Sequence, residues 1–492
     1  MSSVTLPLWL LVVLVALAVW AVSHRLLGPA FRWFMSRRAE HVIDDVSTRL
    51  RIGIRLIQRT PRDALIGRLL ADAKVQRAAE EHALQTGTPL PGVLQRVQRY
   101  AREIVPAFNA YIYFHVGYWL GRRVAQLLYR VRVGSVDEAA LASVPPDATV
   151  VFVMNHRSNM DYILVGYLVA EHTTLSYAVG EWARIWPLSM LVRAMGAFFI
   201  RRHSRDELYR RVLEAYVAMA TEAGVPQAVF PEGKLSRTGG IGELRFGVID
   251  YMMRSFRADG ERDLVFVPIA LNYDRVLEDR TLLLSLDSQA AAPGRLRSVL
   301  RLAAFVGRNL RLMVLSRWYR FGYACVNIGS PVSMREYCRQ RALDFTRLAV
   351  PERQRHVADL GRSLMDAVGR LVPVVPVPMI ARVFAEEPDV RLSAVEVADR
   401  ARGLAEMLRL SGAHVYIPRR DFEYAIAVGL RGLRLRHVIH ERDGTYSAAP
   451  EHLALLQYYA NSIAHLLPVG ASSAGRFTDV SMSGSDRTST AR

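Results

Sequence analysis

Residues 150–161 read VVFVMNHRSNMD, and how this stretch folds decides the architecture around it. Val150, Val151, Phe152, Val153 and Met154 form an apolar run, Asn155 ends it, and polar residues lead through His156 to Asp161. Such a run predicts a buried strand that stops at His156 and turns into a helix. An imidazole delivered to a strand end is placed to act as a base. Asp161, five positions on, is near enough in the chain to orient the ring and stabilise its charged form.

Three further segments have the same grammar. Residues 196–202 read GAFFIRR, residues 230–239 read FPEGKLSRTG, and residues 267–273 read VPIALNY. In each, an apolar run carries polar or charged residues at its end, which is how α/β proteins assemble a site from several strand termini. Further strands are expected at 175–179, 228–230 and 323–328. A helix is expected from Ser204, with Ser204 and Glu207 as its capping box. Strands and helices therefore alternate between about residues 136 and 345, which argues an α/β core. Amphipathic runs make residues 36–135 mostly helical, broken at Gly87 and at residues 89–91. Beyond Pro351 the pattern is mainly helical, with a Val/Pro break at 371–378 and an amphipathic helix at 453–467.

The order and intervals of the four segments resemble the glycerolipid acyltransferase superfamily. Its motifs read here as His156-Arg-Ser-Asn-Met-Asp161, Gly196-Ala-Phe-Phe-Ile-Arg201, Phe230-Pro-Glu-Gly233 and the strand with Pro268. Within it the chain looks most like the bacterial membrane-bound glycerol-3-phosphate acyltransferases. Arg157 stands where relatives acting on lysophosphatidate more often have glutamine, and FFIRR is typical of the glycerol-3-phosphate branch. The likeness covers roughly residues 65–465 and includes Tyr458-Tyr-Ala-Asn-Ser-Ile463. One departure stands out: the family usually has arginine two residues after the glycine of its third motif, and this chain has Leu235.

The resemblance implies an α/β acyltransferase core, a central mixed sheet flanked by helices. The expected organisation is a membrane-anchoring helix (1–35), a helical N-terminal region (36–135), the acyltransferase domain (136–345), a mainly helical C-terminal accessory domain (346–470) and a disordered tail (471–492) rich in Ser, Gly and Thr. The anchor rests on the uninterrupted apolar run at 6–22, followed by Arg25, Arg32, Arg37 and Arg38. By the positive-inside rule that flank faces the cytoplasm, which implies the inner (cytoplasmic) membrane with the catalytic domain on its cytoplasmic side. A cleaved signal peptide is the alternative, but the basic residues lie on the wrong flank for one. Residues 104–120 and 295–320 are two more candidate lipid contacts, the second alternating arginines with large apolar residues.

A formal charge of +18, from 64 basic and 46 acidic residues, calls for an anionic partner. No zinc-ligand spacing, RNA-binding aromatic signature or compact basic tail supports nucleic acid. Membrane phospholipids and phosphorylated substrates fit the charge better. Cys325 and Cys338 match no redox or metal spacing and read as free thiols; His437 and His440 lack a third ligand nearby, so no metal site is expected.

The chemistry implied is transfer of a fatty acyl group from acyl-CoA or acyl carrier protein to the position-1 hydroxyl of sn-glycerol 3-phosphate, with no cofactor beyond that donor. His156 acts as general base and Asp161 holds it. Arg201 and Arg237 are the first candidates for the substrate phosphate, with Arg157, Arg202 and Lys234 next. Glu232, Gly233 and Ser236 shape the third-motif loop, and Pro268 shapes the site wall or the acyl-donor path. Ser158 and Ser236 lie in no nucleophile-elbow sequence, so capping and loop bonding are their expected roles. Leu235 keeps other acceptors open, lysophosphatidate or dihydroxyacetone phosphate, and a catalytically silent membrane-binding relative remains the non-enzymatic alternative.

Overall fold

The computed structural model describes residues 55–169, 174–180, 188–201, 204, 206–284 and 320–468. The apolar run at 6–22, the arginines after it, Arg202, residues 295–319 and the tail at 471–492 lie outside the described residues.

The expected strand before His156 is present as Thr149–Met154 and lies in the interior of a mixed sheet. In chain order the strands are β1 (Arg130–Val136), β2 (Thr149–Met154), β3 (Ser176–Val179), β4 (Phe198–Phe199), β5 (Gln227–Val229), β6 (Leu264–Tyr273), β7 (Tyr323–Ile328) and β8 (Val332–Ser333). Their order across the sheet is β1-β7-β6-β2-β5-β3-β4, with β8 also on β6. Strands β2, β3, β4 and β5 run parallel, and β2 is parallel to β6, whereas β7 and β8 pair antiparallel to β6. All ten residues of β6 are buried, which is why its sequence reads as a continuous apolar run rather than an alternating one. Pro268 sits opposite Val153, between the β8 and β7 pairings on its other edge, where a missing N–H breaks no ladder.

Helices α1 (Arg62–Leu70), α2 (Ala73–Thr86) and α3 (Leu90–Ile104) form the N-terminal region. Asp72 caps α2 by accepting from the Lys74 and Val75 N–H groups, and Gly87 ends it in the left-handed region, as the break in the sequence pattern predicts. The sheet then begins at Arg130, inside the stretch read from sequence as helical, because the short run Val131–Val133 pairs with β7. Helices α4 (Tyr118–Leu128), α5 (Met160–Val169), α6 (Leu188–Ala194), α7 (Glu207–Glu222) and α8 (Gly247–Met253) alternate with the strands. The capping box expected at Ser204 is not what starts α7. Asp206 is the N-cap and accepts from the Tyr209 N–H at 3.2 Å, which leaves Glu207 in the first helical position rather than the third.

The C-terminal region contains α9 (Val350–Leu371), α10 (Pro376–Glu386), α11 (Ala394–Leu410), α12 (Phe422–Arg434) and α13 (Leu453–Ala464). It also carries a small antiparallel sheet, β9 (Leu392–Ser393), β10 (Ile439–Arg442) and β11 (Thr445–Ala448). This region has no core of its own. Val151 and Val153 of β2 join one buried cluster with α1–α3, α7, α8 and α9, while Phe152 and Met154 join another with α5 and α10–α13. Alternation along the strand thus sends neighbouring side chains to opposite cores. Among the described residues no helix is long and apolar enough to cross a membrane.

Candidate functional site

Strands β2, β4 and β5 are parallel neighbours or near neighbours, so their C-terminal ends open on one edge of the sheet. His156 follows β2, Arg201 follows β4, and the Phe230–Gly233 turn follows β5. Asn155 fixes the exit of β2. Its amide Nδ2 donates to the Leu271 carbonyl at 2.9 Å and its Oδ1 accepts from the Leu271 N–H at 2.9 Å, so the side chain continues the ladder that the backbone leaves.

His156 and Asp161 are both fully buried, with Nδ1 3.0 Å from Asp161 Oδ2. The same oxygen accepts from the Arg157 N–H at 2.7 Å and the Ser158 N–H at 3.0 Å, and Oδ1 accepts from the Tyr273 hydroxyl at 2.5 Å. Four donors converge on one carboxylate and fix its position. With Nδ1 donating to Asp161, Nε2 is left as the acceptor, 3.5 Å from the Tyr162 hydroxyl. The ring is bracketed by Phe230 and Tyr162, with centroids 4.3 and 5.3 Å away.

Glu232 ties the third motif to the first. Its Oε1 accepts from the His156 N–H and its Oε2 from the Gly242 N–H, both at 2.8 Å. Burial pushes its carboxyl pKa up, and these N–H groups oppose the shift. Gly233 closes the turn at φ +64°, a left-handed conformation that favours glycine, and its N–H donates to the Phe230 carbonyl at 2.9 Å. Ser236 donates its N–H to the His156 carbonyl at 3.0 Å, and its hydroxyl bonds within the loop to Gly239 and Gly240. Ser158 donates to Glu278 Oε2 at 2.7 Å, so both serines serve as loop fasteners. Glu278 also accepts from Asn159, and burial raises its pKa.

His156 lines a cavity of about 420 Å³ together with Arg201, Arg210, Lys234, Arg237, Arg245 and Glu232. Sequence reasoning found three of these cations and missed Arg210 and Arg245, which carry no motif signal. Arg201 lines the cavity with its charge already paired: it forks onto Glu103 at 2.8 and 2.6 Å and lies over Tyr100 and Tyr209, a pairing that raises its pKa further. Lys234, Arg237 and Arg210 have no carboxylate partner among the described residues, and Arg245 has only a 3.6 Å contact with Glu243.

Two expected site residues stand elsewhere. Arg157 is 3% exposed and turns away from this cavity, its guanidinium 5.3 Å from the Tyr458 ring of α13. The loop after Glu232 docks on the same helix, where Asn461 Nδ2 donates to the Thr238 carbonyl at 3.0 Å. Pro268 lies within the sheet, where its carbonyl accepts from the Gly329 N–H, and does not line the cavity.

A second cavity of about 340 Å³ lies on the other side of Tyr162, which lines both. Its walls are apolar and come from α4, α5 and α6, including Leu120, Val124, Ile163, Leu191, Val192 and Met195. Val116, Trp119, Leu120 and Met190 are exposed on the elements that form it. The whole arrangement offers a buried base, cations on one side and an apolar chamber on the other.

Residues 136–272 match the Acyltransferase family, and residues 311–479 match the family described as glycerol-3-phosphate acyltransferase C-terminal region. A glycerol-3-phosphate acyltransferase of Xylella fastidiosa (strain 9a5c) is 24% identical over 425 residues, which cover 83% of this chain and 47% of the relative. One from Pseudomonas putida (KT2440) is 27% identical over 437 residues, 83% of this chain and 49% of the relative. The chain thus spans about half the length of the relatives it matches. A crystal structure of a 1-acyl-sn-glycerophosphate acyltransferase from Thermotoga maritima aligns with 62% of this chain and 97% of its own at 17% identity, with a TM-score of 0.30.

Proposed function

We propose that this chain, which belongs to the glycerol-3-phosphate acyltransferase family, transfers a fatty acyl group from a thioester donor to the position-1 hydroxyl of sn-glycerol 3-phosphate, giving lysophosphatidate at the start of phospholipid synthesis. The observation that carries this reading is Nε2 of His156, backed by Asp161, in a cationic cavity that shares Tyr162 with an apolar one.

The acceptor phosphate sits against Arg237, Lys234, Arg210 and Arg245, and its hydroxyl reaches Nε2. Arg245, whose Cδ is 3.7 Å from where a Cβ on Gly233 would stand, supplies the charge that Leu235 does not. His156 takes the hydroxyl proton as the oxygen bonds to the thioester carbonyl carbon, and Asp161 stabilises the imidazolium. The carbon–sulfur bond then breaks, and the imidazolium returns the proton to the leaving thiolate. The step balances without a metal, prosthetic group or acyl-enzyme. The apolar cavity holds the acyl chain, and coenzyme A or acyl carrier protein carries it in.

We place the site at the cytoplasmic face of the inner membrane. The apolar run at 6–22 and its trailing arginines support this, as do exposed Val116, Trp119, Leu120 and Met190 near the apolar cavity. Acyl donor and product are amphiphiles, so a chamber opening beside lipid suits both.

The acceptor is tested by offering palmitoyl-CoA with glycerol 3-phosphate, dihydroxyacetone phosphate or lysophosphatidate to the detergent-solubilised chain. Thiol release is expected with glycerol 3-phosphate. Release only with another acceptor moves the function to that branch, and release with none, acyl carrier protein donors included, overturns the enzymatic reading.

A further inference from the structure

A third cavity, of about 410 Å³, lies where the C-terminal region meets the far part of the sheet. Arg130 at the start of β1, Arg275 just past β6, Arg320 before β7 and Arg436 after α12 all line it, with Phe321 and Tyr323 among its walls. It shares no lining residue with the cavity at His156.

The charges there are unbalanced. Arg436 is matched by Asp279 at 2.6 Å and by the Tyr459 hydroxyl at 2.7 Å. Among the described residues Arg130 donates only to hydroxyls, Tyr424 at 2.8 Å and Tyr323 at 3.4 Å. Arg275 lies over Phe321, 3.9 Å from the ring centre, and makes no ion pair among the described residues. Burial first, and then neighbouring Arg436, push its guanidinium pKa down. The acid on the floor, Asp274, is fully buried and spends its two oxygens on the Tyr323 and Val377 N–H groups at 2.7 and 2.9 Å. Its pKa is raised to about 7 by burial, so it neutralises the arginines only in part. Half-buried cations that line one cavity without an ion-pair partner are costly unless an anion joins them.

We infer that this cavity is a second anion site, separate from the catalytic one, which takes the phosphate group of a phosphate monoester. The charge fits: such a group carries about −1.5 to −2 at neutral pH, and neither Arg130 nor Arg275 has a carboxylate partner among the described residues. Guanidinium forks suit phosphate oxygens, and Phe321, Tyr323, Val377 and Val428 offer a surface for the organic body. The site also sits on the chain that supports the base. Residues 274–279 run from this cavity to Leu277 in the apolar one and Glu278, which grips Ser158 and Asn159.

Two sources share this chemistry, a soluble phosphate ester and the headgroup of phosphatidate. The test is calorimetric titration of the full detergent-solubilised chain with adenosine 3′,5′-bisphosphate, dioctanoyl phosphatidate and inorganic phosphate in separate runs. It reads binding alone, so its outcome is independent of the acyltransferase reading. At least one ester is expected to bind wild type, to bind about tenfold or more weakly to Arg275→Gln, and to bind Arg237→Gln, altered in the catalytic cavity, as wild type does. Arg320→Gln, at an exposed position, carries the test if the Arg275 variant does not fold, and it is expected to weaken binding about two- to fivefold by loss of one solvated charge. Binding of the bisphosphate identifies a soluble ligand, and binding of the phosphatidate alone a lipid headgroup. The inference is overturned if neither ester binds, or if binding survives unchanged in the foldable variants of this cavity and is lost in Arg237→Gln.

Discussion

Asp161 is the residue on which most of the site geometry converges, since His156, two backbone N–H groups and Tyr273 all donate to it. Asp161→Asn reverses one of those hydrogen bonds and removes the charge that favours imidazolium. A fall in kcat of roughly 10²–10⁴ is expected, measured by thiol release. Tyr273→Phe removes a single charge-assisted hydrogen bond of about 1.5–3 kcal/mol and is expected to lower kcat by roughly tenfold or more. His156 and Asp161 were legible in the sequence because they lie on one turn and depend on nothing remote. Tyr273 stood in a quoted motif, but its role depends on β6 reaching β2 in register, which one sequence does not reveal. The pairing of Arg201 was hidden for the complementary reason: Glu103, which shares its charge, is 98 residues away. For Arg237→Gln the acceptor KM is expected to rise about tenfold or more while kcat changes little; an unchanged KM removes Arg237 from the phosphate site.

At the scale of elements, the third-motif loop and α13 are joined at Gly239. Its φ is +90°, and a Cβ there would fall 1.8 Å from the Tyr458 carbonyl oxygen. Gly239→Ala must therefore part the loop from the helix, and a loss of about 2 kcal/mol or more is expected from backbone strain and lost packing, read as a lower midpoint in urea. Because Ser236 on the same loop holds the His156 carbonyl, kcat is expected to fall as well. The strands around the site were legible from their apolar runs to within a residue or two. The start of α7 was not, since Ser204 and Asp206 are both good caps and only the path of the chain selects between them. The position of Arg157 was hidden too, because its contact is with a helix some 300 residues later, at Tyr458.

Across the whole molecule, the C-terminal region completes the two cores that the sheet begins. A chain cut after residue 345 loses α9 from one face and α10–α13 from the other. It is expected to lack a cooperative urea transition, whereas the full chain is expected to unfold in one. The sequence pattern gave helices after Pro351 but did not show that they share the core, because amphipathic faces do not name their partners. Asp274 adds a pH dependence to this core. An unfolded aspartate titrates near about 3.9, and the buried one is raised to about 7. The folded state therefore holds the extra proton between those values, so this group favours folding less as pH rises through the interval. Asp274→Asn is expected to flatten the fall in urea midpoint between pH 4 and 7, and an unaltered slope contradicts the assignment.

The central claim is that Nε2 of His156 removes the acceptor proton. Its most direct test is glycerol-3-phosphate-dependent thiol release from palmitoyl-CoA by wild type and His156→Ala, with circular dichroism and urea midpoints confirming that both fold. The account predicts a kcat at least about 10² lower in the variant with the fold retained. A folded variant that keeps substantial turnover contradicts it.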